Sequence, residues 1–167
     1  MFWDLYGIKI IYKFQRKSWN DSAGSNIVFG VWASLVVEGK MDVNVKLFEG
    51  KLNKTFGGGV YEIYIQTKSK EELLFVGESI FVLVSCAFHL HLMAKGRGVL
   101  GFIKEIVGQD KITLVFNLYD SISDKEERKN KEKEIIRDKH PIMQSGDSDR
   151  VKSIEEMIDC MIKFLNK

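Results

Sequence analysis

The stretch Val60–Gly96, VYEIYIQTKSKEELLFVGESIFVLVSCAFHLHLMAKG, changes its hydrophobic period part-way along, and that change sets the fold class. At its start Tyr61, Ile63 and Ile65 alternate with Glu62, Tyr64 and Gln66, the period of a half-buried strand. After Gly77, apolar residues recur near helical spacing at Phe81, Val84, Phe88 and Leu92, with Leu83 and Ala87 alongside. Glu78 and Ser79 stand where an acid and a capping hydroxyl favour a helix start. Gly96 and Gly98 can end the helix. One buried helix laid across an antiparallel sheet would cover both apolar surfaces.

Working back towards the N-terminus, alternation continues. Met41–Phe48 sets Val43, Val45 and Leu47 against Asp42, Asn44 and Lys46. Ile27–Val37 is apolar on both faces and rich in β-branched residues, as a central strand would be. Ile8, Ile10, Tyr12 and Phe14 share one side of a first strand, with Lys9 and Lys13 opposite. Asn20–Asn26 is a dense turn signal, Glu38-Gly39 can close a hairpin, and Gly57-Gly58-Gly59 opens the strand at Val60. Four sequential strands on short loops predict an antiparallel meander, with Leu73–Val76 a candidate fifth. Towards the C-terminus, the pattern predicts a short helix over Val99–Val107, a strand over Lys111–Leu118, and helices over Asp124–Lys139 and Asp149–Leu165. The break between the last two falls at His140-Pro141. In the last helix Val151, Ile154, Ile158, Met161, Ile162 and Leu165 form an apolar stripe that must dock.

Composition bounds the function. The 167 residues include 25 Lys plus Arg against 23 Asp plus Glu, a net charge of +2, with 45% hydrophobic residues. Such a chain can bury a core and is neither disordered nor fibrous. Near-neutrality argues against a strongly basic nucleic-acid binder. Two cysteines, Cys86 and Cys160, make no disulfide scaffold and fit a reducing compartment. The N-terminal stretch has an acid at Asp4 and no basic leader, so a cytoplasmic location is expected. The uncharged run Ser79–Ala94 is shorter than the roughly 18–20 residues of a spanning helix, so no membrane association is expected. Charge is uneven: residues 1–60 carry 8 basic and 5 acidic side chains, 61–118 six of each, and 119–167 eleven basic and twelve acidic. The mixed signs of Asp124–Lys139 predict a solvated helix with pairs such as Glu127 with Lys131.

Four motifs bear on chemistry. Gly96-Arg97-Gly98-Val99-Leu100-Gly101 is a literal G-x-G-x-x-G, with Asp120 about 20 residues beyond, where a ribose-binding acid would stand. The run before it has helical spacing and the first 77 residues read as antiparallel β, so a helix C-cap is the stronger expectation. Cys86, His89 and His91 make C-x-x-H-x-H, but neither a helix nor a strand brings all three together as ligands. Ser85 and Cys86 lie inside the apolar helix, with no activating context for a nucleophile. The pairs Glu71-Glu72, Glu126-Glu127 and Glu155-Glu156 fit solvated faces better than acid–base work. Lys9, Lys13, Arg16 and Lys17, near Phe14 and Trp19, could bind phosphates and stack bases. An ordinary charged edge strand explains them more simply.

The strand run followed by Gly77-Glu78-Ser79 and an apolar helix with Phe81, Leu83, Ala87 and Leu90 resembles small bacterial immunity proteins of contact-dependent inhibition and related polymorphic-toxin systems, over residues 8–95. The resemblance implies a cytoplasmic inhibitor that binds a cognate toxin domain and performs no chemistry. Members that oppose basic nucleases are often acidic, and this chain is not. The expectation is therefore a single α+β domain over 1–167, strand-rich over 1–77 and helix-rich over 78–167. Its antiparallel sheet would have four to six strands as a meander, with helices packed on one face and a helical C-terminal third. No catalytic residue, metal or cofactor is expected. Trp3, Trp19, Tyr64 and Tyr119, each near a turn or on the weaker face of a strand, are the expected partner anchors. A small ligand-binding domain using the Gly96–Gly101 loop is the competing expectation.

Overall fold

Four strands follow one another in antiparallel pairing: β1 (Phe2–Leu5), β2 (Ile8–Arg16), β3 (Phe29–Val37) and β4 (Val43–Leu47). The computed structural model describes residues 2–5, 8–16, 29–37, 43–103, 112–144 and 154–165, the first three segments through their backbone alone. The turn expected over Asn20–Asn26 and the Glu38-Gly39 hairpin lie outside these residues, as do residues 104–107 of the helix expected over Val99–Val107; its first part, 99–102, forms turns, with Ile103 helical. A 3-10 turn (Leu52–Phe56) leads into β5 (Gly59–Gln66) and β6 (Glu71–Ser79). Helix α1 (Val82–Ala94), strand β7 (Thr113–Ser121) and helices α2 (Lys125–Lys139) and α3 (Ile154–Leu165) complete the described elements.

The α+β class holds, but the sheet departs from a meander of four to six strands. Among the described residues it has seven, in the order β1-β2-β3-β4-β7-β5-β6. β7 enters between β4 and β5, parallel to β4 and antiparallel to β5. The physical reason lies in matching apolar rows. Val43 and Val45 of β4, Leu114 and Phe116 of β7, and Ile63 and Ile65 of β5 are each fully removed from solvent on one face. Seating β7 centrally satisfies its backbone on both sides at once. β2 is likewise no plain edge strand: β3 pairs its whole length and β1 pairs Ile8–Ile11.

The helices do not all pack on one face. Val82, Cys86 and Met93 of α1 and Met161 and Phe164 of α3 join the larger core with Tyr61, Ile63 and Phe116. Ile135 and Ile136 of α2 instead join Val60, Leu73 and Val76 in a second cluster. Alternation assigns Val60 and Tyr61 to opposite faces of β5, and both are buried. A strand apolar on both faces needs cover on both, which α2 supplies.

Two further expectations are corrected. β6 continues through Gly77-Glu78-Ser79, and α1 begins only at Val82 with Phe81 at its cap. Ser79 still assists, accepting a hydrogen bond from the Phe81 amide at 3.0 Å. In α3 the buried residues are Met157, Met161 and Phe164, at i, i+4 and i+7, while Ile158 and Ile162 are exposed. The apolar stripe is wider than one helix face can bury, so its flank stays outside. Val151 and the side chains of Ile154 and Leu165 lie outside the described residues.

α2 is closed at both ends as its sequence suggests. The Asp124 carboxylate accepts from the Glu127 amide at 2.8 Å, a cap typically worth about 1 kcal/mol. At the other end His140 takes a left-handed conformation and donates its amide to Ile136 O before Pro141. The chain then runs along the outer edge of β6. Ile142 and Met143 donate to Leu73 O and Leu74 O, and Gln144 Oε1 accepts from the Val76 amide at 3.1 Å. That strap removes an edge that would otherwise invite strand pairing. Among the described residues no helix is long and apolar enough to cross a membrane.

Candidate functional site

Three places could carry function: the glycine loop after α1, a polar recess on the α2 side of the sheet, and the outer face of α1. At the first, Lys95 caps α1, Gly96 has φ of 65°, and the amides of Gly96 and Arg97 return to Met93 O and Leu92 O. This is a Schellman stop, in which a glycine takes the left-handed position. A dinucleotide loop needs the reverse order, strand then helix, with free amides facing a pyrophosphate. Here a helix precedes the loop. Asp120 stands on β7 opposite Val60, accepting from the Ser121 amide.

The C-x-x-H-x-H residues diverge. Cys86 is buried in the main core, and desolvation pushes its thiol well above the ordinary range. His89 is half-buried; its Nε2 shares a hydrogen bond with Tyr61 Oη at 3.0 Å, and its ring stands edge-on to Phe75 at 5.1 Å. His91 is exposed and stacks on Phe88 at 6.5 Å. Ser85 is half-buried, with its hydroxyl 2.7 Å from that of Ser79. Among the described residues no three His, Cys, Asp or Glu side chains are grouped to hold a metal ion.

Burial also holds the His89 imidazole below its ordinary pKa. An unfolded chain then takes up the proton more readily than the folded one. Stability from this group is complete above about pH 6.5, the ordinary imidazole value, and drains as pH falls below it towards the depressed folded value. Urea unfolding of the wild type should therefore weaken more between pH 7.5 and pH 5 than that of His89→Gln. Parallel losses in the two proteins would remove the imidazole as the cause.

The polar recess holds about 290 Å³ and is lined by Phe48, Glu49, Lys51, Glu62, Asn117, Leu118, Tyr119 and Lys139. Glu62 is nearly fully buried, and both its oxygens are taken. Lys139 Nζ donates to Oε1 at 2.7 Å, and the Tyr64 hydroxyl donates to Oε2 at 3.0 Å. The Glu62 hydrogen bond raises the Lys139 pKa, while burial and the neighbouring Glu62 charge raise that of Tyr64. At neutral pH the amine therefore stays charged and the phenol protonated. Neither is poised as a nucleophile or base, which would require the opposite shifts. The triad works as a clamp between α2 and β5.

Of the four expected anchors, Tyr64 is thus tied into this clamp. Tyr119 lies beside it, 39% exposed, with Lys139 Nζ 5.1 Å and Lys131 Nζ 5.7 Å from its ring centre. Lys131 pairs with Glu134, not with Glu127. Trp3 pairs through its backbone with Ile10, its side chain lying outside the described residues; Trp19 lies outside them altogether. Lys9, Lys13 and Arg16 are on β2, and Lys17 is outside. The paired carboxylates Glu71-Glu72, Glu126-Glu127 and Glu155-Glu156 are exposed.

The outer face of α1 carries what sequence reasoning assigned to the core. Phe81, Val84 and Phe88 are exposed, Phe88 by 58%, while Val82, Cys86 and Met93 are buried instead. Ile80, just before the helix, is 78% exposed, and Phe56 of the 3-10 turn lies 6.2 Å from the Phe81 ring. Because α1 is apolar on every side, its sequence holds no signal for which side turns inwards. No protein-family model, curated protein or solved structure matches this chain.

Proposed function

We propose that this chain is a non-enzymatic protein-binding module that seats its partner on the outer face of α1. Following the resemblance of residues 8–95, the partner is a cognate toxin domain that the chain neutralises, as an immunity protein does. The carrying observation is the exposed apolar row of Phe81, Val84 and Phe88 along one side of α1, joined by Phe56 through its ring contact with Phe81. Large exposed apolar patches on soluble proteins commonly mark interaction sites. Buried aromatic anchors of this kind supply most of the binding energy at protein interfaces. The polar groups of the recess support the same reading, since Glu62, Tyr64 and Lys139 satisfy one another.

The test is co-expression with a toxin domain encoded beside this chain. Wild type should co-purify with that domain and protect the cell. Phe88→Asp should weaken binding by about 30-fold or more, the effect of losing a hot spot of about 2 kcal/mol. Its own unfolding should shift by less than about 0.5 kcal/mol, because the site is exposed. Binding unaffected by Phe88→Asp would remove α1 as the docking face, and failure to bind or protect would remove the toxin assignment.

A further inference from the structure

We infer that the partner surface docking on α1 is acidic around an apolar centre. This inference rests on the docking reading above and adds the chemistry of the partner. Phe81, Val84, Phe88, His91 and Lys95 are all exposed and follow one another at steps of three or four, so they form one stripe along α1. The stripe is apolar at its start and cationic at its end. Beside it, the 3-10 turn adds Phe56 and Lys54.

The charge on this surface has one sign. Residues 50–56, which follow Glu49, and 80–97, which run from just after Glu78 into the loop after α1, carry it and contain no Asp or Glu. They do contain Lys51, Lys54, Lys95 and Arg97. Lys51 is committed to Leu118 O at 3.2 Å. Lys54, Lys95 and Arg97 are exposed and have no ion-pair partner among the described residues. Elsewhere Arg128 pairs with Glu78, Lys139 with Glu62 and Lys131 with Glu134, while Lys68, Lys125 and Lys163 are exposed without an ion-pair partner among the described residues; what sets the α1 face apart is that its segments hold cations and no acid. Lys95 also offsets the C-terminal end of the helix dipole, but Lys54, on a separate element, does not. An apolar centre with an unmatched cationic rim is complementary to an apolar centre with an acidic rim.

The other occupants fit less well. A second copy of this chain would bring Lys54, Lys95 and Arg97 against like charges across a two-fold interface. A basic partner meets the same repulsion. An anionic membrane is normally engaged by clusters of about 4–8 Lys or Arg, and this face offers three.

Selection of a displayed random peptide library on the full chain tests the inference. Enriched peptides should combine aromatic or aliphatic residues with Asp and Glu. Their affinity should fall about tenfold on combined Lys54→Glu, Lys95→Glu and Arg97→Glu substitution, and should fall again as salt rises from about 0.05 to 0.5 M. Phe88→Asp should abolish it. Neutral or basic peptides that Phe88→Asp still releases would overturn the acidic partner while leaving docking on α1 intact. Peptides indifferent to Phe88→Asp would overturn the docking reading itself. Two controls complete the test: sedimentation with phosphatidylcholine vesicles containing phosphatidylserine, and sedimentation equilibrium of the chain alone. Wild type should neither pellet with vesicles nor dimerise, and either behaviour, if removed by Phe88→Asp, would assign the face elsewhere and overturn the proposal.

Discussion

Arg128→Ala should lower the unfolding free energy by about 3 kcal/mol, the low end of the cost of stranding one member of a buried ion pair, because the Glu78 side chain keeps 23% of its surface exposed. Arg128 is only 4% exposed, although it lies on the most highly charged helix of the chain. Its Nε donates to Glu78 Oε2 at 2.9 Å, and its Nη1 donates to Ser123 O at 2.6 Å and to Ile122 O at 3.3 Å. One guanidinium therefore joins β6, the turn after β7 and α2. Gly58 lets it in: a Cβ there would stand 3.0 Å from Nη1 and 2.7 Å from Ile122 O. Truncation leaves a carboxylate and two carbonyls without that donor, each with a desolvation cost. Arg128→Lys should recover only part of the loss, because an ammonium lacks the planar fork that reaches Glu78 and the turn together. Glu78→Gln combined with Arg128→Met should cost less than the two single losses added, since no lone charge remains. Urea unfolding followed by circular dichroism measures the wild type, these variants and the two single substitutions Glu78→Gln and Arg128→Met, six proteins in all. A loss below about 1 kcal/mol for Arg128→Ala would show that water replaces the guanidinium freely.

Phe116→Ala should cost about 3–5 kcal/mol, by removing a large core side chain and leaving a cavity. Phe116 is fully buried at the middle of β7, register-paired with Leu47 on one side and Ile63 on the other. Its carbonyl accepts from the Phe48 amide at 2.8 Å. β7 is the only described strand that hydrogen-bonds both the β1–β4 half of the sheet and the β5–β6 half. Damage at Phe116 should therefore reach both halves, and near- and far-ultraviolet signals should melt together at a lower temperature. A two-step melt, with one half retaining its midpoint, would show that β7 does not couple them.

Much of the fold is legible in local patterns. Alternation marks β4 and β5, Asp124 and Pro141 bracket α2, and Gly96 announces the end of α1. Each of these follows from interactions within a few residues, where side-chain period and backbone preference act directly. The candidate site was far less legible. Glu62 and Arg128 belong to residue types that default to the surface. They are buried because partners arrive from 77 residues away in Lys139 and 50 residues away in Glu78. Tyr64 and Tyr119, proposed from sequence as anchors, come together at the recess, where one is committed to Glu62 and the other is flanked by two lysines.

By itself, then, the amino-acid order determined the alternating and helical periods, and through them the α+β class, both ends of α2 and the stop of α1, but not the start of α1. Tertiary structure alone decided three things: that β7 enters between β4 and β5, that α2 takes the opposite sheet face from α1, and that Phe81, Val84 and Phe88 face outwards. The physical reason is common to all three. Backbone pairing and apolar burial are indifferent to where along the chain a matching row comes from, and a helix apolar on every side has no face of its own to prefer. The choice falls to the arrangement that buries the most surface across the assembled sheet. That arrangement leaves Phe81, Val84 and Phe88 of α1 exposed to solvent.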